Sequence, residues 1–178
     1  MRRLISTAAI VLLLAACDSV EPDMEGAGEQ ELITSVTLTL TSNDATVTAS
    51  ARDEDGDGSN FEIDELVLTA GVLYSGGIDV RDDVNDESIT EEIEEEADEH
   101  QFFFIPEGDM AQRLQVTVTD QDSNGLPVGV EFDLQVTPGT TTSGTLRIVL
   151  SHFDEEPKNG VDRSSETDID LVFPVRIQ

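Results

Sequence analysis

The stretch "ELITSVTLTLTSNDATVTASARD", residues 31–53, alternates apolar and polar side chains with a period of two residues. Because successive side chains of a strand point to opposite faces, this period predicts strands that each bury one face. The run Ser42-Asn43-Asp44 predicts a turn, after which the alternation resumes. The predicted buried faces are Leu32, Thr34, Val36, Leu38 and Leu40 before the turn, and Ala45, Val47, Ala49 and Ala51 after it.

The same signal recurs along the chain, in short runs bounded by Gly, Pro, Asn or Asp. About eight short strands predict an all-β fold, a β-sandwich of the Ig-like or jelly-roll-like kind. No repeat of fixed period and no alternation of strands with helices is present. The later runs are "DELVLTAGVLY", "QFFFIP", "QRLQVTVTD", "VGVEFDLQVT", "GTLRIVLSHF" and "TDIDLVFPVRIQ".

One acidic segment, "SITEEIEEEADEH", interrupts the strand pattern. Ser88 and Glu91 have the spacing of a capping box, and acidic residues suit the first turn of a helix. The segment predicts one short helix near residues 89–99 that covers an edge or end of the sandwich. Its far end is also acidic, which opposes the helix dipole, so we expect His100, salt or a cation to offset that end. The predicted apolar stripe is Ile89, Ile93 and Ala97.

The amino terminus reads "MRRLISTAAIVLLLAACDS", a basic start followed by an apolar run too short to span a bilayer. It ends in small residues before Cys17, and so resembles a bacterial lipoprotein signal. The resemblance implies removal of residues 1–16 and acylation of Cys17, which anchors the protein to a membrane without spanning it. The alternative is an ordinary secretory signal with an incidental cysteine.

The rest of the chain divides into a tether and one domain. Residues 17–30 lack periodicity and predict a flexible tether, lipidated at its first residue. Residues 31–178 are long enough for a single β-sandwich domain with its own core.

The charge balance is strongly acidic, with 9 basic and 39 acidic residues and a formal net charge of −30. This charge excludes nucleic acid and anionic lipid headgroups as favourable partners. Lys158 is the only lysine. Such a surface indicates adaptation to high salt, where repulsion is screened over a few ångströms. It is also suited to collecting divalent cations, and both interpretations can hold together.

Two loops have the ligand spacing of a calcium loop, with oxygen ligands at positions 1, 3, 5 and 12 and Gly at position 6. Their flanks predict strands, so neither is an EF-hand. We expect bound Ca²⁺ to be structural, and the alternative is that both are ordinary hairpin turns, which select the same residues. The candidate ligands are Asp120, Asp122, Asn124 and Glu131 in "DQDSNGLPVGVE", and Asp53, Asp55, Asp57 and Asp64 in "DEDGDGSNFEID".

The two histidines offer a different kind of metal site. His100 and His152 each stand beside carboxylates, and imidazole with carboxylate suits Zn²⁺, Cu²⁺ or Fe. If the two strands that carry them end near each other, the histidines could form one site with Glu99 and Asp154. The alternative is that each histidine is isolated at a strand end.

The blocks "ITEEIEEEADEHQFFF", "DQDSNGLPVG" and "ETDIDLVFPV" together resemble a family of small envelope lipoproteins, usually named "type 1 periplasmic binding fold superfamily protein". The resemblance covers most of the chain after Cys17. It implies a lipoprotein of the cell envelope, and it brings no activity or catalytic residue with it. The family name denotes two lobes of alternating strands and helices, whereas the residues themselves predict an all-β domain.

No hydrolase elbow, P-loop or dinucleotide fingerprint is present, so the sequence predicts a protein that is not an enzyme. We expect a lipid-anchored binding or accessory protein of a bacterial envelope, at the outer membrane, that holds calcium and supports a receptor or transporter. The alternatives are a purely structural acidic surface lipoprotein and a transition-metal capture protein centred on the two histidines.

Overall fold

Two β-sheets face each other across one apolar core in the computed structural model, which describes residues 32–154 and 156–178. The predictions for residues 1–16 and 17–30 lie outside these described residues. The first sheet contains β1 (Ser35–Thr41), β2 (Thr46–Arg52), β3 (Glu62–Ile63), β5 (Leu73–Asp82), β6 (Glu87–Ser88), β8 (Leu114–Val118) and β9 (Glu131–Val136). The second contains β4 (Leu66–Leu68), β7 (His100–Glu107), β10 (Thr142–His152) and β11 (Glu166–Ile177).

The strand order is β3-β2-β1-β5-β9-β8 in the first sheet, with β6 beside β5, and β4-β11-β10-β7 in the second. Neighbouring strands in the described residues are antiparallel, except that β4 runs parallel to β11. The predicted all-β sandwich is therefore confirmed. Eight of the eleven strands have five or more residues, and the other three have two or three.

Strand alternation places most of the core where the sequence predicts it, but the prediction for Ala45 is wrong: it precedes β2 at the turn and is exposed, and Val47 is only half-buried. Val36, Leu38 and Leu40 of β1 are at most 1% exposed, and the threonines between Leu38 and the turn face solvent. Burying such a side chain contributes about 1.5–3 kcal/mol to stability. The longest strand, β11, buries every second residue in the same way, namely Ile169, Leu171, Phe173, Val175 and Ile177.

The acidic segment forms α1 (Ile89–Glu95), which is shorter than the predicted helix near 89–99. Ser88 caps it by accepting a hydrogen bond from the Glu91 N–H, as the capping-box spacing predicts. The helix buries Ile89 and Ile93 and packs on β5. Among the described residues, no helix has the length and apolar character needed to cross a bilayer.

Gly76 of β5 is required by close packing. It lies between Phe132 of β9 and Leu40 of β1, and a Cβ there would be 2.5 Å from the Phe132 ring and 2.7 Å from a Leu40 methyl carbon. Such overpacking costs about 1–3 kcal/mol, so we expect Gly76→Ala to lower the free energy of unfolding by that amount. Urea unfolding in high salt measures the loss.

Gly77 provides the matched control, because a Cβ there would meet nothing closer than 3.9 Å. We expect Gly77→Ala to change stability by less than about 0.5 kcal/mol. Equal losses in the two variants would mean that the close contact of Phe132 with Gly76 is not the cause.

Candidate metal centre

The two histidines meet at the end of the second sheet. β7 and β10 are antiparallel neighbours, and their register makes His100 and His152 a directly opposed pair. The imidazole rings are stacked, with centroids 4.5 Å apart and planes 17° apart. The condition that the sequence left open, that the two strands end close together, is therefore met.

A third donor, Asp168, joins the histidines through a β-bulge. Leu150 of β10 faces Ile169, but Ser151 faces Thr167, so Asp168 is an extra residue in β11. Bulges re-aim side chains in this way. The Asp168 carboxylate places Oδ2 3.7 Å from His100 Nε2 and Oδ1 3.9 Å from His152 Nδ1.

The surroundings of His100 fix which nitrogen can bind a metal. His100 Nδ1 lies 3.2 Å from the carbonyl oxygen of Glu96 at the end of α1. Since a carbonyl only accepts hydrogen bonds, Nδ1 carries the proton, and the lone pair of Nε2 faces Asp168. Burial lowers the pKa of His100, which favours the neutral imidazole that metals bind.

Asp168 is an unsatisfied group in this cluster. Burial raises the pKa of its carboxyl group, and the two neighbouring imidazoles only partly offset this effect. Within the described residues, Asp168 Oδ2 is buried and has no hydrogen-bond partner. A buried, unpaired carboxylate oxygen is costly, and a cation between Asp168 and the imidazoles would satisfy it.

The other two predicted members of this site have different positions. Glu99 places Oε2 3.9 Å from His152 Nε2, the ring nitrogen that does not face Asp168. Glu99 is therefore placed to orient the His152 ring rather than to bind the same ion. Asp154 is exposed and does not belong to the cluster. The residue that sequence reasoning missed is Asp168, because strand alternation with buried Ile169 predicts that its side chain faces away.

The donor set is thus two imidazole nitrogens and one carboxylate, all within 4.8 Å of one another. Tetrahedral Zn²⁺ with bonds of about 2.0–2.1 Å needs donors roughly 3.3 Å apart, so the imidazole–carboxylate distances of 3.7 and 3.9 Å must each shorten by about half an ångström. Because the lone pair of an imidazole nitrogen lies in the ring plane, the two stacked rings must also turn about their terminal side-chain torsions to point at one ion. The set is the one typical of three-ligand transition-metal sites, which leave a coordination position open.

The predicted calcium loop at residues 53–64 brings together three of its four candidate ligands. Asp53, Asp55 and Asp57 lie within 4.8 Å of one another, and Asp53 also accepts hydrogen bonds from two backbone N–H groups of the loop. Asp64, which follows β3, is elsewhere, because its carboxylate pairs with Arg52 of β2 at 3.1 Å. The loop therefore offers three carboxylates without the ligand at position 12.

In the second predicted calcium loop, residues 120–131, the carboxylates accept backbone hydrogen bonds instead of converging on one point. Both oxygens of Asp120 accept backbone hydrogen bonds, from Gly129 at 2.7 Å and from Glu131 at 3.0 Å. Asp122 Oδ1 accepts the N–H of Asn124 at 2.8 Å. In the described residues, the carboxylates of Asp120, Asp122 and Glu131 do not converge within 4.8 Å, so this segment has the hydrogen bonding of a turn.

The only lysine supplies the positive charge at this second loop. Lys158 Nζ lies 3.0 Å from Asp122 Oδ2 and donates a hydrogen bond of 2.7 Å to the Ala97 carbonyl. The two paired side chains are only 2% and 1% exposed. Lys158 thus ties the loop to the residues after α1. His100, the side chain that the sequence names for this end of the helix, contacts the Glu96 carbonyl, and the ammonium of Lys158, which the sequence does not indicate, contacts the next one.

The Asp122–Lys158 pair predicts a specific response to acid. Burial alone would raise the pKa of Asp122, but hydrogen bonds from the Leu126 N–H and from Lys158 lower it below its usual value. A carboxylate with a lowered folded-state pKa stabilises the fold above its unfolded pKa of about 3.9, and this contribution is lost as pH falls through the folded value.

We therefore expect stability to fall steeply below about pH 4, and Asp122→Asn to flatten that part of the curve. Urea unfolding in high salt, compared between neutral pH and about pH 3, measures both effects. Parallel curves for the variant and the parent protein would contradict a lowered pKa at Asp122.

Comparison of the chain with protein-family models, with curated proteins and with solved structures found no match. The resemblance to the envelope lipoproteins therefore stays a prediction.

Proposed function

We propose that this chain is a lipid-anchored, non-enzymatic binding protein of a bacterial cell envelope, and that it holds a divalent transition-metal ion between His100, His152 and Asp168. In this proposal the anchor is Cys17 and the location is the outer membrane. The protein acts as an accessory that presents its ion to a receptor or transporter.

One observation carries the metal assignment. Asp168 is turned by a bulge toward two stacked imidazoles, and its Oδ2 is buried without a hydrogen-bond partner in the described chain. If these residues had only a structural role, the buried and unpaired Asp168 oxygen would lower the stability of the fold without any benefit. A metal ion bound to Asp168 and the two imidazoles would give that oxygen a partner. The nitrogen donors favour Zn²⁺, Cu²⁺ or Fe²⁺ over Ca²⁺ and Mg²⁺, which prefer oxygen ligands.

A structural calcium ion at Asp53, Asp55 and Asp57 is a second candidate, supported by the convergence of these carboxylates. The pKa of Asp55 is raised by its hydrogen bond with the Asp53 side chain and by the charge of Asp57. This repulsion among like charges is what a calcium ion would relieve. The envelope location and the anchor are supported by the lipoprotein-like start of the chain.

Thermal unfolding in about 2 M NaCl separates these functions, because that salt screens general charge repulsion. The protein is first chelated and then given Zn²⁺, Ca²⁺ or Mg²⁺. With Zn²⁺ at about 100 times its Kd, binding adds about 2.7 kcal/mol, which raises Tm by roughly 5–10 °C. Mg²⁺ should give no shift.

Three variants locate the bound ions. Asp168→Asn should abolish the Zn²⁺ shift, while Asp154→Asn, the exposed control, should retain it. A Ca²⁺ shift that Asp55→Ala removes would establish the second candidate. Absence of a shift with any ion would refute both and leave a purely structural acidic lipoprotein.

A further inference from the structure

One sheet edge in the described part of the chain, that of β8, is long and open. Free N–H and C=O groups at an edge can pair with another chain, and proteins usually block or shorten such edges. β3, β4 and β6 offer only two or three residues each. At the edge strand β7, the Phe102 N–H donates to the Val128 carbonyl at 2.6 Å, and Pro106 has no N–H. β8 has five residues and pairs only with β9.

The free side of β8 presents the backbone groups of three residues. Just after the strand, Thr119 donates its N–H to the Glu131 carbonyl, on the side of β9. Because backbone groups alternate sides along an antiparallel strand, Leu114, Val116 and Val118 direct theirs away from β9. Within the described residues, these groups form no hydrogen bond on that side. The edge therefore has the donors and acceptors that one more strand requires.

The side chains of β8 also indicate a missing neighbour. Val116 and Val118 lie beside Leu134 and Phe132 of β9, on the face of the sheet that covers the core. Leu134 and Phe132 are at most 1% exposed, whereas the two valines are only half-buried. An added strand would cover the valines as β8 covers β9, and would remove more apolar surface from water.

We propose that β8 is a dimerisation edge, which pairs antiparallel with β8 of a second copy about a two-fold axis at Val116. In this register Val116 opposes its counterpart, and Leu114 opposes Val118 of the second copy. The apolar inner face is then continuous, and Gln115 opposes Thr117 on the exposed outer face. This inference goes beyond the proposed metal centre and does not depend on it.

The charges at β8 favour a second copy of this chain as the occupant. A protein with a net charge of −30 repels its copies on most approaches, but residues 114–119 carry no charge. Arg113 precedes this segment and Asp120 follows it. The antiparallel register places Arg113 of one copy opposite Thr119 of the other, and hence next to its Asp120, at both ends of the pair. High salt screens the repulsion between the remaining surfaces.

Sedimentation velocity of the full chain in high NaCl tests the dimer, in a mild detergent that keeps the apolar amino terminus from associating. We expect a dimer that dissociates on dilution. Val116→Lys should raise its dissociation constant at least about tenfold, because it sets two like charges opposite each other at the edge. Val172→Lys, the matched change at an exposed valine of the second sheet, should leave the dimer intact.

A protein that stays monomeric at all concentrations would overturn the proposal. So would a dimer that Val172→Lys dissociates and Val116→Lys does not, because the interface would then be the outer face of the second sheet.

Disulfide formation tests the register without a new charge, in chains that also carry Cys17→Ser. Opposed residues of a hydrogen-bonded antiparallel pair have Cα atoms about 5.5 Å apart, so Val116→Cys should form a covalent dimer on mild oxidation. Val118→Cys should not, because its counterpart lies about 14 Å away in this register. Equal cross-linking of the two variants, or none in either, would overturn the proposed pairing.

Discussion

Replacing Lys158 with methionine is expected to lower the free energy of unfolding by about 3–5 kcal/mol, because it leaves the buried Asp122 carboxylate without its counter-charge. The pair is 2% and 1% exposed, so water cannot take over the role of the ammonium. The same change leaves the Ala97 carbonyl without its donor. Methionine retains an unbranched chain of four atoms and lacks only the terminal ammonium, so the loss reports mainly charge and hydrogen bonding rather than a large cavity. Urea unfolding in high salt measures it.

The double variant Lys158→Met with Asp122→Asn is the control. It removes both charges, and we expect it to recover at least about half of the loss, since replacing both partners is much less costly than removing one. A single variant that loses less than about 1 kcal/mol would show that the pair is solvated like a surface salt bridge.

Replacing Asp168 with asparagine is expected to weaken Zn²⁺ binding roughly 100-fold or more, because it removes the only carboxylate ligand of the proposed centre. Asparagine keeps the shape of the side chain. The apo protein should therefore remain within about 1 kcal/mol of its original stability, since the replaced oxygen has no hydrogen-bond partner in the described residues. Competition with a chelating dye measures the affinity.

The neighbouring acids should form a graded series. Glu99→Gln is expected to cost about tenfold in Zn²⁺ affinity, as the loss of an orienting partner does. Asp154→Asn should cost nothing, because Asp154 is exposed and lies outside the cluster. If the three variants bound Zn²⁺ equally well, the histidine cluster would not be the binding site.

The sequence predicted the structure well in segments whose conformation follows from a local pattern of residues. The alternation in β1 predicts its buried face, and Ser88 with Glu91 predicts the start of α1. The second half of β5 was missed, because Gly76 and Gly77 interrupt its apolar pattern, and the need for glycine at position 76 is visible only beside Phe132.

The candidate site depended on contacts that no local pattern encodes. The pairing of His100 with His152 requires the register of β7 against β10. Asp168 was hidden by a bulge, which reverses the face that alternation assigns to it. Lys158 is far from Asp122 along the chain, so the sequence could not indicate that an ammonium group meets the predicted calcium loop.

The most direct test of the metal centre is an anomalous-difference map from crystals of the protein grown with Zn²⁺, measured on both sides of the zinc absorption edge. The account predicts one strong zinc peak about 2.0–2.2 Å from His100 Nε2, His152 Nδ1 and an Asp168 oxygen. A zinc peak found only among Asp53, Asp55 and Asp57 would contradict the account. So would a map without a peak at the histidines, if the same protein is saturated with zinc in solution.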